Sequence, residues 1–592
     1  MRIVCTVISV IIAIIMLLSA CSRAPQSETP QSGDRSVPAG ESGIVSDFSS
    51  STADDFADDS KTATGDFTVA FSGEGAECLQ SGSVYTVVSA GEYTFSGALQ
   101  GQIVVAAPED AEVKLVFAGV SVSCADSAPV LIISASEVTI KSEEGTYNTV
   151  SDLRTGSAAS AAETEENYDA AIYSACDLKI TGKGTLIVTS SYDNGVKSKD
   201  DLSVKNVSLK VTCPGNALKG NDSVEIESGT LILVSTSSDG IKTSNSDISS
   251  KGNRRGNVVI SGGSVDIYAA CDGVSAAYDV IINDSEGECT VNVFTGSYAG
   301  DRANVSSGNV SGKTSYSSKG IKAQNDITVS GGTVAVKSTD DGLHANSGET
   351  LDDGSKSTGN ITVEGGRISV TAADDGFHAD GSININGGTV IVSRSYEGLE
   401  ANVVNINGGY VSVYGRDDGI NACSGGSIPL VNITGGYLEV TTPSGDTDAI
   451  DSNGSFAMSG GIAIIKGGTQ SGSVAGSVDV DRTLTVTGGT VIALGGICET
   501  PTADKVCVYI SQNTSFASGS YALKDSSGET IAEFTLSSTY SSVWVASDKI
   551  AVGESYSFVK DGDSVLDWEQ TSSQVGSGGG GFNPGRPGGG RR

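Results

Sequence analysis

Two short runs, Asp340-Asp341-Gly342-Leu343-His344-Ala345 and Asp374-Asp375-Gly376-Phe377-His378-Ala379, share one pattern and contain the only two histidines among 592 residues. Paired carboxylates beside an imidazole suit either a cation site or proton transfer. The pattern recurs without histidine as Glu397-Gly398-Leu399-Glu400-Ala401 and Asp417-Asp418-Gly419-Ile420-Asn421-Ala422. The motif is therefore one rung of a repeat, and the repeat decides its chemistry.

The other half of each unit reads apolar-x-apolar-x-Gly-Gly-x-apolar-x-apolar, as in ITVSGGTVAV (327–336) and ININGGTVIV (383–392). The small residue of the turn half falls at 195, 217, 240, 273, 320, 342, 376, 398, 419 and 449, so a unit of about 22 residues is interrupted by insertions. Val, Ile, Thr and Ser alternate with period two, which is strand chemistry, and no apolar helical period follows the N-terminal segment. Short strands in coils of this length predict an all-β fold, a right-handed parallel β-helix whose coils stack at roughly 4.8 Å. A β-propeller blade needs about 40 residues.

Stacking assigns each motif position. Val196, Leu218, Ile241, Ile321, Leu343, Phe377, Leu399, Ile420 and Ile450 point inward, and the residue after each points out. The preceding glycine is expected to supply a positive φ at the corner. Insertions at 150–168, 296–318, 244–256, 346–359 and 423–428 flank one face and predict a walled groove along it.

On that face the repeated acids become a column of Asp340, Asp341, Asp374, Asp375, Glu397, Asp417, Asp418 and Asp448, with Asp380 at the later corner. Carboxylates one coil apart repel by roughly 3 kcal/mol at an effective dielectric near 20. A column of hard oxygen donors is predicted to bind Ca²⁺. The competing reading, in which each Asp caps its own turn, explains single Asp-Gly steps but leaves the doubled Asp-Asp without a purpose. The outward column runs Lys197, Lys219, Lys242, Ser275, Lys322, His344, His378, Glu400, Asn421, Asp451, from basic to acidic. Lys322, His344, His378, Glu400, Asn346, Asn402, Tyr396 and Tyr414 are the candidate ligand contacts. No acid–base pair with a fixed partner emerges from the spacing, and no catalytic set is assigned.

Net charge is −35, which excludes a nucleic-acid face. Met1-Arg2, an apolar run to Leu18 and Leu18-Ser19-Ala20-Cys21 read as an export signal over residues 1–20, with lipid attachment at Cys21. The protein is thus expected on the extracellular face of the cell membrane, held by lipid alone. Residues 21–65 are Ser- and Asp-rich and read as a linker. Residues 66–495 form the β-helix, 496–570 a small antiparallel β cap, and 571–592 a Gly- and Arg-rich disordered tail. Nine cysteines remain after Cys5 and Cys21, spread singly with no Cys-x-x-Cys, and are expected as mostly buried thiols.

The opening segment Gly91–Asp152, the repeated Asp-Asp-Gly-x-His-Ala and Gly-Gly strands and the Gly/Arg tail resemble the calcium-containing carbohydrate-binding β-helix proteins of clostridia. That resemblance implies bound Ca²⁺ and a polysaccharide partner, acidic or from plant cell walls, without cleavage. It extends to β-helix polysaccharide lyases, which use calcium and a lysine base. Two alternatives therefore stand beside the binding reading. One is a pectate-type lyase using Lys197, Lys219, Lys242 or Lys322, and the other is a surface spacer or adhesin with no sugar ligand.

Overall fold

The computed structural model describes residues 52, 55–156, 168–300, 317–423, 426–445, 447–468 and 476–576. The expected leader, Cys21, the linker as far as residue 51 and the tail from residue 577 lie outside them.

The chain winds into a parallel β-helix with three short strands per coil. Every strand of the repeat pairs in parallel with the strand three positions on, or with its equivalent where two strands have fused. No α-helix occurs among the described residues. Alternation does the sorting: Leu343–Ala345 buries its first and third residues, and Thr333–Ser338 buries every second one. The inward residues form one continuous core. Val196, Leu218, Ile241, Ile321, Leu343, Phe377, Leu399, Ile420 and Ile450 are all at 0 % exposure. Each such side chain contributes roughly 1.5–3 kcal/mol of transfer free energy.

The sheet that carries the charged face has the predicted register. Lys197 pairs with Lys219, Lys219 with Lys242, Lys242 with Ser275, and Ser275 with Lys322. Lys322 then pairs with His344, His344 with His378, His378 with Glu400, Glu400 with Asn421, and Asn421 with Asp451. The ladder also extends at both ends, to Tyr173 before Lys197 and Asp479 after Asp451.

The two glycine sites of the repeat work differently, and one expectation is corrected. The second glycine of each Gly-Gly pair holds the positive φ, for example +77° at Gly332, +79° at Gly366 and +77° at Gly409. The glycine before the inward residue does not. Gly342 and Gly376 have no positive φ, but a Cβ on Gly342 would meet Val370 Cγ1 at 2.3 Å and the Gly376 carbonyl at 2.5 Å. These corners need glycine because successive coils approach closely there. Ala217 and Ala449 hold the same position in two coils, so the approach is not equally tight everywhere.

At the start, Thr68–Ser72 pairs antiparallel with Gly91–Gln100 over the buried rings of Tyr93, Phe95 and Phe117. At the other end, Thr490–Leu494 pairs antiparallel with Val543–Ser547, which covers the open edge of the last coil. A four-stranded antiparallel sheet, Thr530–Leu536, Gly519–Asp525, Ser555–Lys560 and Asp563–Glu569, follows with its own aromatic core. The nine described cysteines are all free thiols.

Two insertions on the site side touch each other. The hairpin Ser347–Thr350 with Lys356–Thr358 reaches back to the 244–256 loop. There the Ser246 amide donates to Asp352 (2.7 Å), and Arg254 pairs with Asp353 (2.9 Å). Together they form a wall beside the charged face. Of the expected insertions at 150–168 and 296–318, residues 157–167 and 301–316 lie outside the described residues.

Candidate functional site

The second acid of each turn has two oxygens with different duties. One accepts the backbone amide of the equivalent residue a coil further on. Asp239 takes Asp272 (3.0 Å), Asp341 takes Asp375 (3.2 Å), Asp375 takes Glu397 (3.2 Å), Asp418 takes Asp448 (3.1 Å) and Asp448 takes Gly476 (2.6 Å). Asn194 does the same for Asn216 (3.0 Å), with an amide oxygen. Turn capping therefore accounts for one oxygen per rung. The second carboxylate oxygen is what distinguishes Asp from Asn here, and its partner changes along the helix.

In the earlier coils the partner is an ammonium. Lys197 pairs with Asp169 (2.7 Å), Lys242 with Asp239 (2.7 Å) and Lys322 with Asp272 (4.0 Å). Lys219 has no ion pair among the described residues, and burial, then Lys197 beside it, pushes its ionisation down. Lys319 stands where other coils carry an acid before glycine. Its Nζ lies 3.0 Å from Asp340 and 2.8 Å from Asp341.

In the middle coils the partners are the histidines, which fold back around the corner onto the acid three residues earlier. His344 Nδ1 is 2.7 Å from Asp341, and His378 Nδ1 is 3.0 Å from Asp375 and 3.0 Å from Glu400. The rings stack with centroids 4.6 Å apart and planes 12° from parallel. Each imidazole thus has a fixed acid partner, which spacing alone did not reveal. Burial opposes the His378 imidazolium, but Asp375, Asp380 and Glu400 outweigh it and raise its ionisation well above the usual range. Buried Asp341 is held low by His344 and Lys319, while burial pushes Asp375 up to about 8 and Glu397 to about 9.

On this face of the later coils the turn acids have no cation partner among the described residues. Burial first, then neighbouring carboxylates, pushes Asp418 up to about 7, Asp448 to about 8, Asp451 to about 6 and Glu499 to about 7. Asp479 moves the same way. Buried Glu499 Oε2 has no hydrogen-bond partner. No Lys, Arg or His pairs with any of these five among the described residues. Their donors are oxygens alone, the donor type that a hard divalent cation takes.

The remaining candidates divide. Asp374 joins Asp340 and Asp341 in an acid triad whose oxygens lie within 4.8 Å, the triad that Lys319 already enters. Tyr396 is 44 % exposed, and its hydroxyl contact with Asp417 raises its ionisation to about 12. Tyr414 lines a cavity of about 580 Å³ between the last coils and the 537–540 loop of the cap. Asn346 accepts from His344 Nε2 (2.7 Å) and donates to Gln324 (2.9 Å). Asp380 accepts the Ser347 amide (2.8 Å). Asn402 is 7 % exposed, and its amide is occupied by Cys423 and Ser427, so it ties those two residues to its own strand.

Residues 81–357 and 350–497 match the family of carbohydrate-binding domain-containing proteins, more than half of the chain. The chain belongs to this family. A carbohydrate-binding domain-containing protein of Acetivibrio thermocellus is 34 % identical over 126 residues, 21 % of this chain. The match spans 43 % of that relative's length. A polysaccharide lyase-like protein from C. thermocellum, solved as a gadolinium derivative, is 31 % identical. It covers 37 % of this chain and 84 % of its own, with a TM-score of 0.32. The fold and the charged face described above are thus those of a carbohydrate-binding family member.

Proposed function

We propose that this family member binds an anionic glycan through Ca²⁺ held on its later coils, without cleaving it, while lipid at Cys21 keeps it on the outer face of the membrane. The observation that carries the reading is the run Asp418, Asp448, Asp451, Asp479 and Glu499, half-buried and paired with no Lys, Arg or His among the described residues. A chain of net charge −35 repels a carboxylated polymer. A divalent ion bound to the run reverses the local sign and leaves coordination positions for sugar carboxylates and hydroxyls. The carboxylates of the run would hold the ion, and the exposed ring of Tyr396 offers an apolar surface nearby. The same charge argues against a nucleic-acid partner.

The test is retention on immobilised polygalacturonate with calcium and with EDTA. Retention that EDTA abolishes supports the proposal. No retention in either condition favours the spacer reading.

A second reading, lyase action, rests on Lys219. Burial and Lys197 favour its neutral amine, the form a general base needs. It would take the proton beside the uronate carboxylate, and unsaturated product absorbing in the ultraviolet would establish it. The non-catalytic reading is preferred because Lys219 lies several coils before the acid run.

A further inference from the structure

The two histidines occupy the one stretch of the face where nitrogen and oxygen donors converge. We propose that Asp375, His378 and Glu400, with His344 beside them, bind a single divalent transition-metal ion of the Zn²⁺ class, separate from the oxygen-only run of the later coils.

The first argument is the convergence of donors on one ring nitrogen. His378 Nδ1 lies 3.0 Å from Asp375 Oδ2 and 3.0 Å from Glu400 Oε2, yet a ring nitrogen carries at most one hydrogen. A cation placed among the three atoms serves the ring nitrogen and both carboxylates at once. These three donor atoms lie within 4.8 Å of one another, as do those of Asp341, His344 and His378, and the two groups share His378. Ligands about 2.0–2.2 Å from zinc stand roughly 3.3 Å apart at tetrahedral angles, so little movement is needed to admit an ion.

The second argument is the surroundings of the ligands. Metal-bound imidazoles characteristically present their other nitrogen to an acceptor that fixes the tautomer. His344 Nε2 meets Asn346 Oδ1 at 2.7 Å, and His378 Nε2 faces Asp380 Oδ1 at 3.5 Å. The Cys423 thiol lies 3.4 Å from the other oxygen of Glu400. The remaining oxygen of Asp375 is held by the Glu397 amide (3.2 Å), and Phe377 and Leu399 pin the backbone beneath at 0 % exposure. The donors are thus held in place before any ion arrives.

The third argument is donor type. Imidazole nitrogen beside carboxylate suits zinc, nickel or cobalt, while calcium takes oxygen alone. Lys319 already neutralises Asp340 and Asp341 on the preceding rung, which leaves His378 as the centre of the site.

The experiment uses the full chain stripped of metal, titrated with Zn²⁺ by calorimetry and with paramagnetic Co²⁺ by proton NMR. With only two histidines, the imidazole signals are assigned by single substitutions. The expected result is one Zn²⁺ per chain, strong perturbation of the His378 signal by Co²⁺, and no displacement by excess Ca²⁺. Asn346→Ala is expected to weaken zinc by roughly 10–100-fold as an outer partner, and His378→Gln by more, with unchanged circular dichroism. Unperturbed histidine signals in the wild-type protein, or zinc affinity unchanged in both His378→Gln and Glu400→Gln, overturns the proposal. Glycan retention that depends on Ca²⁺ is read independently of either outcome.

Discussion

Coils up to residue 345 and coils from residue 417 onward have the same backbone, the same inward Leu and Ile and the same amide-capping acid, yet they handle charge in opposite ways. In the earlier coils several turn acids of this face meet a lysine or histidine: Lys242 on Asp239, Lys319 on Asp340 and Asp341, His344 on Asp341. In the later coils Asp418, Asp448, Asp451 and Asp479 have no Lys, Arg or His partner among the described residues, and their ionisation is suppressed. In the first region these acids are charge-paired as folded. The second carries acids whose charge has no counterpart among the described residues. A repeat architecture thus keeps the fold constant while one outward position changes the chemistry from coil to coil.

The largest perturbation should fall on both regions equally. Phe377 lies fully buried under the histidine junction, and Phe377→Ala is expected to cost about 3–5 kcal/mol in chemical denaturation, with or without calcium. Lys319→Met should hurt only the earlier region. It leaves Asp340 and Asp341, 8 % and 3 % exposed, without their ammonium, for a loss of roughly 3 kcal/mol that calcium partly restores. The matching change in the later region should have the opposite sign. Asp418→Asn and Asp448→Asn keep the amide-accepting oxygen, as Asn194 does, and remove a repelled charge. Each should stabilise the calcium-free protein at pH 8 by on the order of 1 kcal/mol while weakening calcium binding.

The pH response separates the regions more gently. A carboxyl whose folded pKa is raised holds its proton more tightly in the native state, so its contribution to stability declines as pH rises. For Asp418 and Asp448 the decline runs from near the ordinary 3.8 up to about 7–8. Asp341, held low, contributes stability that is lost only below the ordinary carboxylate range. Hydrogen exchange without divalent ions should therefore show amides of 418–452 losing protection between pH 5 and pH 8, with those of 319–345 unchanged. Calcium should erase the difference at pH 8.

The repeat was legible because its period is short and its alternation strict. Once Gly342, Gly376 and Gly398 are aligned, the outward register from Lys197 to Asp451 follows. Contacts that turn a corner or cross coils were not legible. His344 reaches Asp341 by folding back over a glycine that itself is required by a neighbouring coil, not by its own φ. Lys319 looked like one more turn residue, because nothing in Ser-Lys-Gly reports which acids stack above it. Ser246 and Asp352 are 106 residues apart and meet only because two insertions leave the same sheet. Asp479 and Glu499 carry no repeat signal, because their coil lacks the Asp-Gly signature, and only the Val-Asp-Val alternation at 478–480 marks an outward acid.

The central claim, that the later acid run recruits a cation to hold an anionic glycan, is tested most directly by calorimetric titration of oligogalacturonate into the protein. Wild type and the double variant Asp418→Asn/Asp448→Asn are compared in calcium and in EDTA. Binding by the wild type in calcium, lost in EDTA and lost or severely weakened in the variant, is the predicted result. Equal affinity in all four combinations would contradict it.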